Sequence, residues 1–453
     1  MNILINDIYS TIECPGNYSA ALARIRSLCR ARPAGYKFMP KFKAGRWDGY
    51  ISLMHSFSEF PTGLLDMVTS DLIENGLEFS LIYNTQVMSY IPVTSDILNG
   101  VTLREYQVLA ANTMLERQRG VVKMATNSGK TEVMAAVIKA LDCNTLILLH
   151  RKELMYQTAQ RFKDRGLKHV GIVGDGHSSP DKITIGMIQT LSAHQAESVD
   201  VFAHNQLVMC DETHHASSDT MMDMLRLIPG SYRYGLSGTP LKYDVLADMK
   251  LISATGNLIF DLDNAYMIEA GYSAVPIIHV AAVESKHRLD WKMKYQDAYA
   301  SLIVNNTIRN QHIVDFVKKQ PGIVLILVTR IEHGMILNDL IPKSVFVSGS
   351  DTTEFRQQVL DSMRHTTSGV YIASPIFDEG IDVPSVNAVV MAGGGVSDIK
   401  LLQRIGRGLR HKENGANVLH ILDFIDDTNK YLLEHSNARI STYVGENFHT
   451  EMV

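Results

Sequence analysis

The feature that most constrains the fold is a regular alternation of short apolar runs with amphipathic stretches of helical length, beginning after Pro92. This alternation is typical of βαβ units, in which helices connect parallel strands and cover the sheet. It predicts two successive blocks of strands, joined between Leu241 and Pro276. The predicted strands of the first block are Val121–Ala125, Thr145–Leu149, His169–Val173, Ile183–Met187, Leu207–Cys210 and Tyr234–Leu236. Those of the second block are Ile323–Val328, Ser344–Val347, Val370–Ala373, Ala388–Met391 and Val418–Leu422.

The length of 453 residues predicts about three domains, since one domain typically takes roughly 100–200 residues. We expect an α/β fold with two tandem doubly wound parallel-sheet domains, preceded by a small N-terminal α/β domain. The predicted boundaries are residues 1–95 for the N-terminal accessory domain, 96–240 and 241–430 for the two sheet domains, and 431–453 for a C-terminal tail.

The net charge of −5 provides no global attraction for nucleic acid, so binding must depend on local patches. One such patch is predicted between Ala21 and Arg46, where eight basic residues occur with no acidic one and with aromatic residues between them. Basic side chains neutralise phosphates, and aromatic rings stack on exposed bases. The alternative is that the aromatics form a small core and the lysines its solvated face. The candidate DNA contacts are Lys37, Lys41, Lys43, Arg46 and Trp47.

The four cysteines form no C-x-x-C pair, so neither a zinc knuckle nor an iron–sulfur cluster is predicted. Thiols scattered in apolar surroundings are typical of a reducing cytoplasm. No apolar run approaches the ~20 residues that cross a bilayer, and no signal peptide is recognisable. We therefore expect a cytoplasmic protein without a membrane partner.

A phosphate-binding loop is predicted at residues 121–131, VVKMATNSGKT, where a strand leads through a small polar loop into a helix. The backbone of Thr126, Asn127, Ser128 and Gly129 would face the phosphates of ATP. Lys130 would reach the β- and γ-oxygens, and the Thr131 hydroxyl would help to hold Mg²⁺. Two positions depart from the usual pattern, since Met124 and Asn127 stand where glycines are common. The alternative is a solvated turn.

Two carboxylates, Asp211 and Glu212, directly follow the predicted strand Leu207–Cys210. Parallel strands present ligands at their carboxyl ends, where the phosphate loop is also expected. Asp211 would hold Mg²⁺, and Glu212 would orient and deprotonate the attacking water. The alternative is a strand that merely ends in polar residues. The adjacent His214 and His215 lack the further spacing that a metal site requires.

Three arginines in the second block, Arg404, Arg407 and Arg410, are spaced at i, i+3 and i+6, which places them on one face of a helix. The second block contains no phosphate loop of its own. Arginines reaching toward the nucleotide of the first block would explain both facts, and such arginines typically contribute about 10³–10⁵ in rate. The alternative is a solvated basic helix.

Together these motifs resemble those of DExH-type superfamily 2 helicases over about residues 100–425. The resemblance implies two RecA-like domains, with ATP and Mg²⁺ as cofactors. It implies nucleotide contacts from Arg104 and Gln107 near the adenine, from Gly380 and Asp382 near the ribose, and from Arg407 and Arg410 at the γ-phosphate. It implies nucleic-acid contacts from Arg151, Gln189, Thr190 and Ser374, and coupling of ATP state to domain movement by His214, Ser237, Thr239 and Gln403.

The segment GYKFMPKFKAGRWDG, residues 35–49, is similar to the corresponding segment of the phage UvsW-type recombination helicases. This narrower resemblance implies a small N-terminal α/β domain ahead of the motor. It also implies remodelling of branched DNA, such as Holliday junctions, forks and R-loops, in recombination, repair and replication. For a phage protein it implies the host cytoplasm.

The leading hypothesis is therefore an ATP-dependent DNA helicase or translocase that acts as a monomer on branched or single-stranded DNA. Within enzymes, the alternatives are a double-strand translocase or an RNA helicase with the same motor. A different class is a nucleic-acid binding module that uses ATP only as a clamp, against which Glu212 and the two arginines argue.

Overall fold

The computed structural model describes residues 1–14, 19–125, 127–213, 219–241, 244–283, 293–374, 386–395, 417–427 and 429–453. The chain divides into two compact units, residues 1–124 with 129–262, and residues 263–453 with 125–128. No described helix is long and apolar enough to cross a membrane.

The strands of the first unit are β1 (Asn2–Ile5), β2 (Tyr9–Glu13), β3 (Arg30–Ala31), β4 (Ile51–Ser52), β5 (Glu59–Pro61), β6 (Ser80–Tyr83), β7 (Arg119–Met124), β8 (Thr145–Leu149), β9 (Val170–Gly174), β10 (His177–Ser179), β11 (Ile183–Met187), β12 (Leu207–Asp211), β13 (Tyr232–Ser237) and β14 (Leu258–Leu262). Those of the second unit are β15 (Val275–Ala282), β16 (Ile323–Leu327), β17 (Val345–Val347), β18 (Gly369–Ala373), β19 (Ala388–Val390), β20 (Val418–Ile425) and β21 (His449–Met452).

The helices of the first unit are α1 (Ser19–Leu28), α2 (Pro40–Lys43), α3 (Leu65–Glu74), α4 (Glu105–Arg117), α5 (Lys130–Leu141), α6 (Lys152–Asp164), α7 (Ile188–Ala193), α8 (Val199–Ala203), α9 (Asp219–Leu227) and α10 (Val245–Thr255), with 3₁₀ turns at Tyr36–Phe38 and Thr62–Leu64. Those of the second unit are α11 (Asn264–Glu269), α12 (Tyr295–Tyr299), α13 (Thr307–Lys319), α14 (Ile331–Leu340), α15 (Thr353–His365) and α16 (Lys430–Gly445), with a π-helical turn at Ala300–Val304.

The N-terminal part of the first unit is a four-stranded mixed sheet in the order β5-β2-β1-β6. Its apolar core also includes Leu246 of helix α10. This helix follows strand β13 of the neighbouring large sheet. A Cβ at Gly63 would lie 2.0 Å from the carbonyl oxygen of Ile252, so only glycine permits this close backbone approach. Ser231 also donates a hydrogen bond to Asp7 at 2.8 Å. The N-terminal sheet is thus packed firmly against the large sheet of its own unit.

The large sheet of the first unit has the order β10-β9-β11-β8-β12-β13-β7-β14, and every pair is parallel except β10 with β9. The central strand β8 is buried along its whole length, as expected where helices cover both faces of a parallel sheet. This arrangement brings β12, β13 and β7 side by side, so their carboxyl ends share one edge.

The sheet of the second unit is wholly parallel, in the order β17-β18-β16-β19-β20-β15-β21. Apolar clusters lie on both of its faces, one centred on Leu325 and Ile421 and the other on Ile326 and Phe424. The α/β fold with two doubly wound sheets and a small N-terminal domain is therefore confirmed.

All eleven predicted strands are present, and their ends lie within two residues of the predicted ones except at β20, which continues three residues beyond Leu422 to Ile425. The structure differs from the sequence prediction at two boundaries. Strand β14 pairs with β7, so the first unit extends to Leu262 instead of ending at residue 240. The segment 431–453, predicted as a tail, forms most of helix α16 and the edge strand β21, which pairs with β15. Asn429 caps that helix by accepting a hydrogen bond from the N–H of Tyr431.

Candidate active site and nucleic-acid surfaces

The candidate active site lies at the carboxyl edge of the first large sheet, where three neighbouring parallel strands end together. Asp211, the last residue of β12, pairs in register with Leu236 of β13, and Ser237 pairs with Lys123 of β7. The predicted acidic pair, Ser237 and the start of the phosphate loop are therefore brought to one place.

A chain of hydrogen bonds connects these strand ends. The Lys130 ammonium lies 3.4 Å from Oε1 of Glu212, and the Ser237 hydroxyl donates to Oε2 of the same carboxylate at 3.5 Å. The backbone N–H of Thr239 donates to Ser237 Oγ at 3.2 Å. The Glu212 carboxylate thus connects the helix after the phosphate loop to the segment 237–239, which the resemblance assigns to coupling.

The electrostatics of the site keep Lys130 charged. Burial alone would lower the pKa of its ammonium, but the carboxylates of Glu212 and Asp211 more than offset that effect and raise the pKa above its ordinary value. The Lys130–Glu212 contact is long, and both side chains are partly open to solvent. Such a loosely paired cation beside two carboxylates can accept a polyphosphate and its divalent cation without breaking a tight internal ion pair.

The phosphate loop has the backbone that its role requires. The N–H of Ser128 donates to the carbonyl of Ala125 at 3.2 Å, which closes a tight turn. Gly129, the N-terminal cap of α5, has a φ of 82°, and a Cβ there would lie 2.2 Å from Nε2 of Gln107. Thr131 follows Lys130 in the first turn of this helix. The loop therefore leads directly into a helix N-terminus, which is a ready site for phosphate.

The structure explains the two departures from the usual loop pattern. Asn127 has a φ of 66°, the left-handed region that glycine adopts freely and that asparagine tolerates better than most residues. Met124 is the last residue of β7 and is completely buried, with no positive φ, so a side chain is accommodated there.

Arg104 and Gln107 lie at the start of α4, close to this loop. The side chain of Gln107 accepts a hydrogen bond from the Arg104 N–H at 2.9 Å, one half of a capping box at the start of this helix. Gln107 is buried and its amide nitrogen lies against Gly129. This position is compatible with the adenine-side role that the resemblance implies.

The backbone of Glu212 is unusual, with a φ of 51° at a residue that is not glycine. Its N–H donates to Oδ1 of Asp211 at 2.9 Å. Left-handed conformations cost roughly 1–3 kcal/mol at such residues and occur most often at functional sites. In this conformation the Glu212 carboxylate lies 3.4 Å from the Lys130 ammonium.

The predicted strand-gripping residues lie at the carboxyl ends of two neighbouring strands. Arg151 follows β8 and caps α6, and Gln189 and Thr190 begin α7 just after β11. The Gln189 amide nitrogen lies 3.5 Å from Nδ1 of His150, which brings the two motifs together. Gln189 is exposed, and Arg151 and Thr190 are partly exposed.

In the second unit Ser374 directly follows β18, where its N–H donates to the carbonyl of Val347 at 3.0 Å. The other predicted residues Thr126, His214, Gly380, Asp382, Gln403, Arg407 and Arg410 lie outside the described residues. Among the described residues no group of His, Cys, Asp or Glu has a metal-binding arrangement, and the buried cysteines have raised thiol pKa values because of their burial.

The eight basic residues of the N-terminal patch divide into two groups. Arg24 pairs with Asp71 and Arg30 with Asp48, while Arg26 and Arg32 lie over aromatic rings. Lys37, Lys41, Lys43 and Arg46 are all exposed, and no ion pair is recorded for them within the described part of the chain. The four cations among the predicted DNA contacts of the patch are thus exposed, and one of them, Lys43, lies 5.8 Å from the centre of the Phe38 ring.

The aromatic residues of the patch also differ from one another. Trp47 is partly buried, and its indole N–H donates to the Tyr50 carbonyl at 2.7 Å. Phe38, which the sequence interpretation did not single out, is 78% exposed. The alternation of aromatic and basic residues in the sequence does not indicate which aromatic ring is exposed to solvent.

Comparison with known proteins adds three matches to sequence families along the chain. The family described as "DNA helicase UvsW, N-terminal" matches residues 2–81. The family "Type III restriction enzyme, res subunit" matches residues 100–242, and "Helicase conserved C-terminal domain" matches residues 307–412. The three matches follow the order of the N-terminal sheet and the two large sheets.

Similar proteins include the ATP-dependent DNA helicase uvsW of Enterobacteria phage T4, 25% identical over 92% of this chain and 92% of that protein. The DNA 3'-5' translocase XPB2 of Sulfurisphaera tokodaii is 25% identical over 72% of this chain and 82% of its own length. A fragment of a proposed HsdR subunit of a type I restriction enzyme from Vibrio vulnificus shares the fold, with a TM-score of 0.61 and 19% identity, over 77% of this chain and 68% of that chain. With the strand-end motifs and the three family matches, these relatives show that the chain belongs to the superfamily 2 helicases of the UvsW type.

Proposed function

We propose that the protein is an ATP-dependent DNA helicase or translocase that remodels branched DNA. The observation that carries the ATPase part is the Lys130–Glu212–Ser237 network at the carboxyl edge of the first large sheet. The branched-DNA part is supported by the N-terminal family match, by the similarity to a DNA helicase and a DNA translocase, and by the available cations of the N-terminal patch.

Each residue of the network has a chemical role in this proposal. Lys130 binds the β- and γ-phosphates, and Thr131 and Asp211 would hold Mg²⁺, which would neutralise developing phosphate charge. Glu212 orients the attacking water and takes its proton. Ser237 contacts the same carboxylate and accepts a hydrogen bond from Thr239. The position of residues 237–239 can therefore change when the Glu212 carboxylate turns from Lys130 to water or phosphate.

A composite ATP site forms a second part of the proposal. The sequence of the second block contains no phosphate-loop motif, whereas it carries Arg407 and Arg410 at helical spacing. In this proposal both arginines stabilise charge on the γ-phosphate, Gly380 and Asp382 lie near the ribose, and His214 and Gln403 take part in coupling. Arg407→Ala or Arg410→Ala would then lower kcat by orders of magnitude with little loss of ATP affinity.

Along DNA, Arg151, Gln189 and Thr190 in the first sheet and Ser374 in the second would contact one strand. Hydrolysis would then shift one set of contacts relative to the other and move the motor, which we propose acts as a monomer. Lys37, Lys41, Lys43, Arg46 and Trp47 would contact DNA outside the motor. Replacing the three lysines by alanine should flatten the dependence of log affinity on log salt by roughly 0.9 for each lost duplex phosphate contact.

The experiment that tests this function compares ATP hydrolysis and strand separation on single strands, duplexes, forks, four-way junctions and RNA–DNA hybrids. A branched-DNA helicase hydrolyses ATP in response to DNA and separates forks and junctions fastest. A double-strand translocase would be stimulated by duplex without separating it, and an RNA helicase would prefer RNA. Nucleic-acid binding in ATP without stimulated hydrolysis would contradict the proposal and indicate an ATP-dependent clamp.

A further inference from the structure

Residues 32–50 form a compact excursion between the two short strands β3 and β4, which pair antiparallel through Arg30 with Ser52 and Ala31 with Ile51. We call this excursion the aromatic knob. Its interior is the edge-to-face pair of Tyr36 and Phe42, whose ring centres are 4.9 Å apart. The pair is held so closely against Gly49 that a Cβ there would lie 2.7 Å from the Tyr36 ring. The knob is therefore a packed platform and not a loose loop.

Phe38 lies on the outside of this platform. At 78% exposure it is the most exposed large apolar side chain of the described residues. A single exposed apolar side chain needs no explanation by itself. Here, however, Tyr36 and Phe42, which belong to the same 3₁₀ turn and the following helix, pack against each other. Phe38 lies between them in the sequence but makes no such ring pair and stays exposed to solvent.

The charges around Phe38 indicate what it meets. Lys37, Lys41, Lys43 and Arg46 are exposed on the same knob, and within the described residues none of them has a recorded ion pair. The Lys43 ammonium lies 5.8 Å from the centre of the Phe38 ring. Four exposed cations on the knob that carries this ring disfavour an apolar protein surface, which would leave those charges without partners. They favour a polyanion that also presents a flat apolar face.

An unpaired nucleotide has both properties, since its phosphate is anionic and the ring face of its base is free. A fully paired duplex offers the phosphates but keeps its base faces stacked within the helix. We propose that Phe38 stacks on an unpaired base exposed at a DNA branch point, while the knob cations hold the flanking phosphates. This inference rests on the proposed action on branched DNA and adds the residue that recognises the unpaired site.

The test measures equilibrium binding of the full chain to a forked DNA and to a blunt duplex by fluorescence anisotropy without ATP. Phe38→Ala should weaken fork binding by about 5- to 150-fold, the equivalent of the ~1–3 kcal/mol typical of base–aromatic stacking, with little effect on the duplex. Phe38→Trp should restore fork binding. Irradiation of a fork carrying 5-iodouracil at unpaired positions should crosslink the wild-type protein at Phe38.

Phe57→Ala is the matched control, because Phe57 is 64% exposed but its ring face is occupied by the Arg26 guanidinium at 4.1 Å. It should bind the fork like the wild type. Equal fork affinity of Phe38→Ala and Phe57→Ala, or an equal loss on fork and duplex, would overturn the proposal. The binding measurement requires no ATP hydrolysis, so the two proposals can fail separately. If the protein unwinds forks but Phe38→Ala does not weaken fork binding, only the stacking proposal is refuted. If Phe38→Ala weakens fork binding but the wild type does not hydrolyse ATP, only the proposed motor function is refuted.

Discussion

Both large sheets place two carboxylates at the carboxyl end of a strand, but their surroundings are opposite. In the first sheet, Glu212 faces Lys130 across 3.4 Å, and the two side chains are 29% and 13% exposed. In the second sheet, the Asp423 carboxylate on β20 accepts a hydrogen bond from Nε of Arg439 at 2.9 Å, and both side chains are at most 3% exposed. The first pair is loose and reachable, whereas the second is tight and closed.

The closed pair belongs to a larger network of buried hydrogen bonds. Asp423 also accepts the Tyr443 hydroxyl at 2.7 Å, and Asp426 accepts a hydrogen bond from the buried Arg309. Arg309 and Arg439 donate further to the carbonyls of Ala392 and Gly395 in the segment that follows β19. Similar acids at similar strand ends therefore serve different purposes in the two sheets. A site open to a nucleotide needs weak internal pairing, whereas strong internal pairing fixes a loop.

The largest expected effect is on ATP hydrolysis when the open pair, Lys130 with Glu212, is changed. Lys130→Ala should reduce DNA-stimulated ATP hydrolysis to background, because the phosphates lose their cation at the helix N-terminus. The control is Lys182→Ala, which removes a lysine that pairs with Asp142 at 2.8 Å outside the network and should hydrolyse ATP normally. Near-normal turnover by Lys130→Ala would refute the assignment of the open site.

Glu212→Gln should slow turnover by about 10²–10⁴-fold while ATP still binds, because the amide cannot take a proton from water. Binding of a fluorescent ATP analogue and single-turnover hydrolysis separate the two quantities. If affinity and hydrolysis fell together, Glu212 would have a structural role like that of Asp423.

In the closed network, Arg439→Met should leave the Asp423 carboxylate buried without its guanidinium and destabilise the second unit by about 3–5 kcal/mol. The measurement is chemical denaturation. Arg364→Met is the control, because Arg364 and Asp361 form an exposed pair one helical turn apart, whose loss typically costs about 0–1 kcal/mol. Equal losses for the two variants would remove the distinction between open and closed pairs.

The smallest effect concerns pH. Burial, together with the Arg309 charge, lowers the pKa of His333 to about 3. Below about pH 6.5 the His333 imidazole binds a proton in the unfolded chain but not in the folded chain. The free energy of unfolding therefore decreases by about 1.4 kcal/mol for each unit by which the pH is lowered, down to about pH 3. Between pH 7 and 5 the wild type should lose about 2 kcal/mol more than His333→Gln. The exposed His312→Gln variant should follow the wild type, and identical pH profiles for all three proteins would contradict the argument.

The sequence predicted those strands that are continuous apolar runs, such as Thr145–Leu149, because complete burial in a parallel sheet requires such runs. It did not predict β10 and β21, which are short polar edge strands, nor β15, in which Pro276 and His279 interrupt the apolar pattern. Edge strands need only one apolar face or none, so their composition carries little signal.

For the candidate site, short motifs predicted Lys130, Asp211, Glu212 and Ser237, because each lies beside a recognisable strand. The closed network was not predictable, since Arg309 and Asp426 are 117 positions apart and only the fold brings them together. The outward position of Phe38 depends on how Tyr36 and Phe42 pack, which the order of residues does not state.

The most direct test of the proposed motor is strand separation of a four-way DNA junction and a fork by the wild type and by Glu212→Gln, each with ATP. We predict that the wild type separates both substrates while it hydrolyses ATP, and that Glu212→Gln binds them and ATP but leaves the strands joined. Hydrolysis by the wild type without separation, or separation by Glu212→Gln at the wild-type rate, would contradict it.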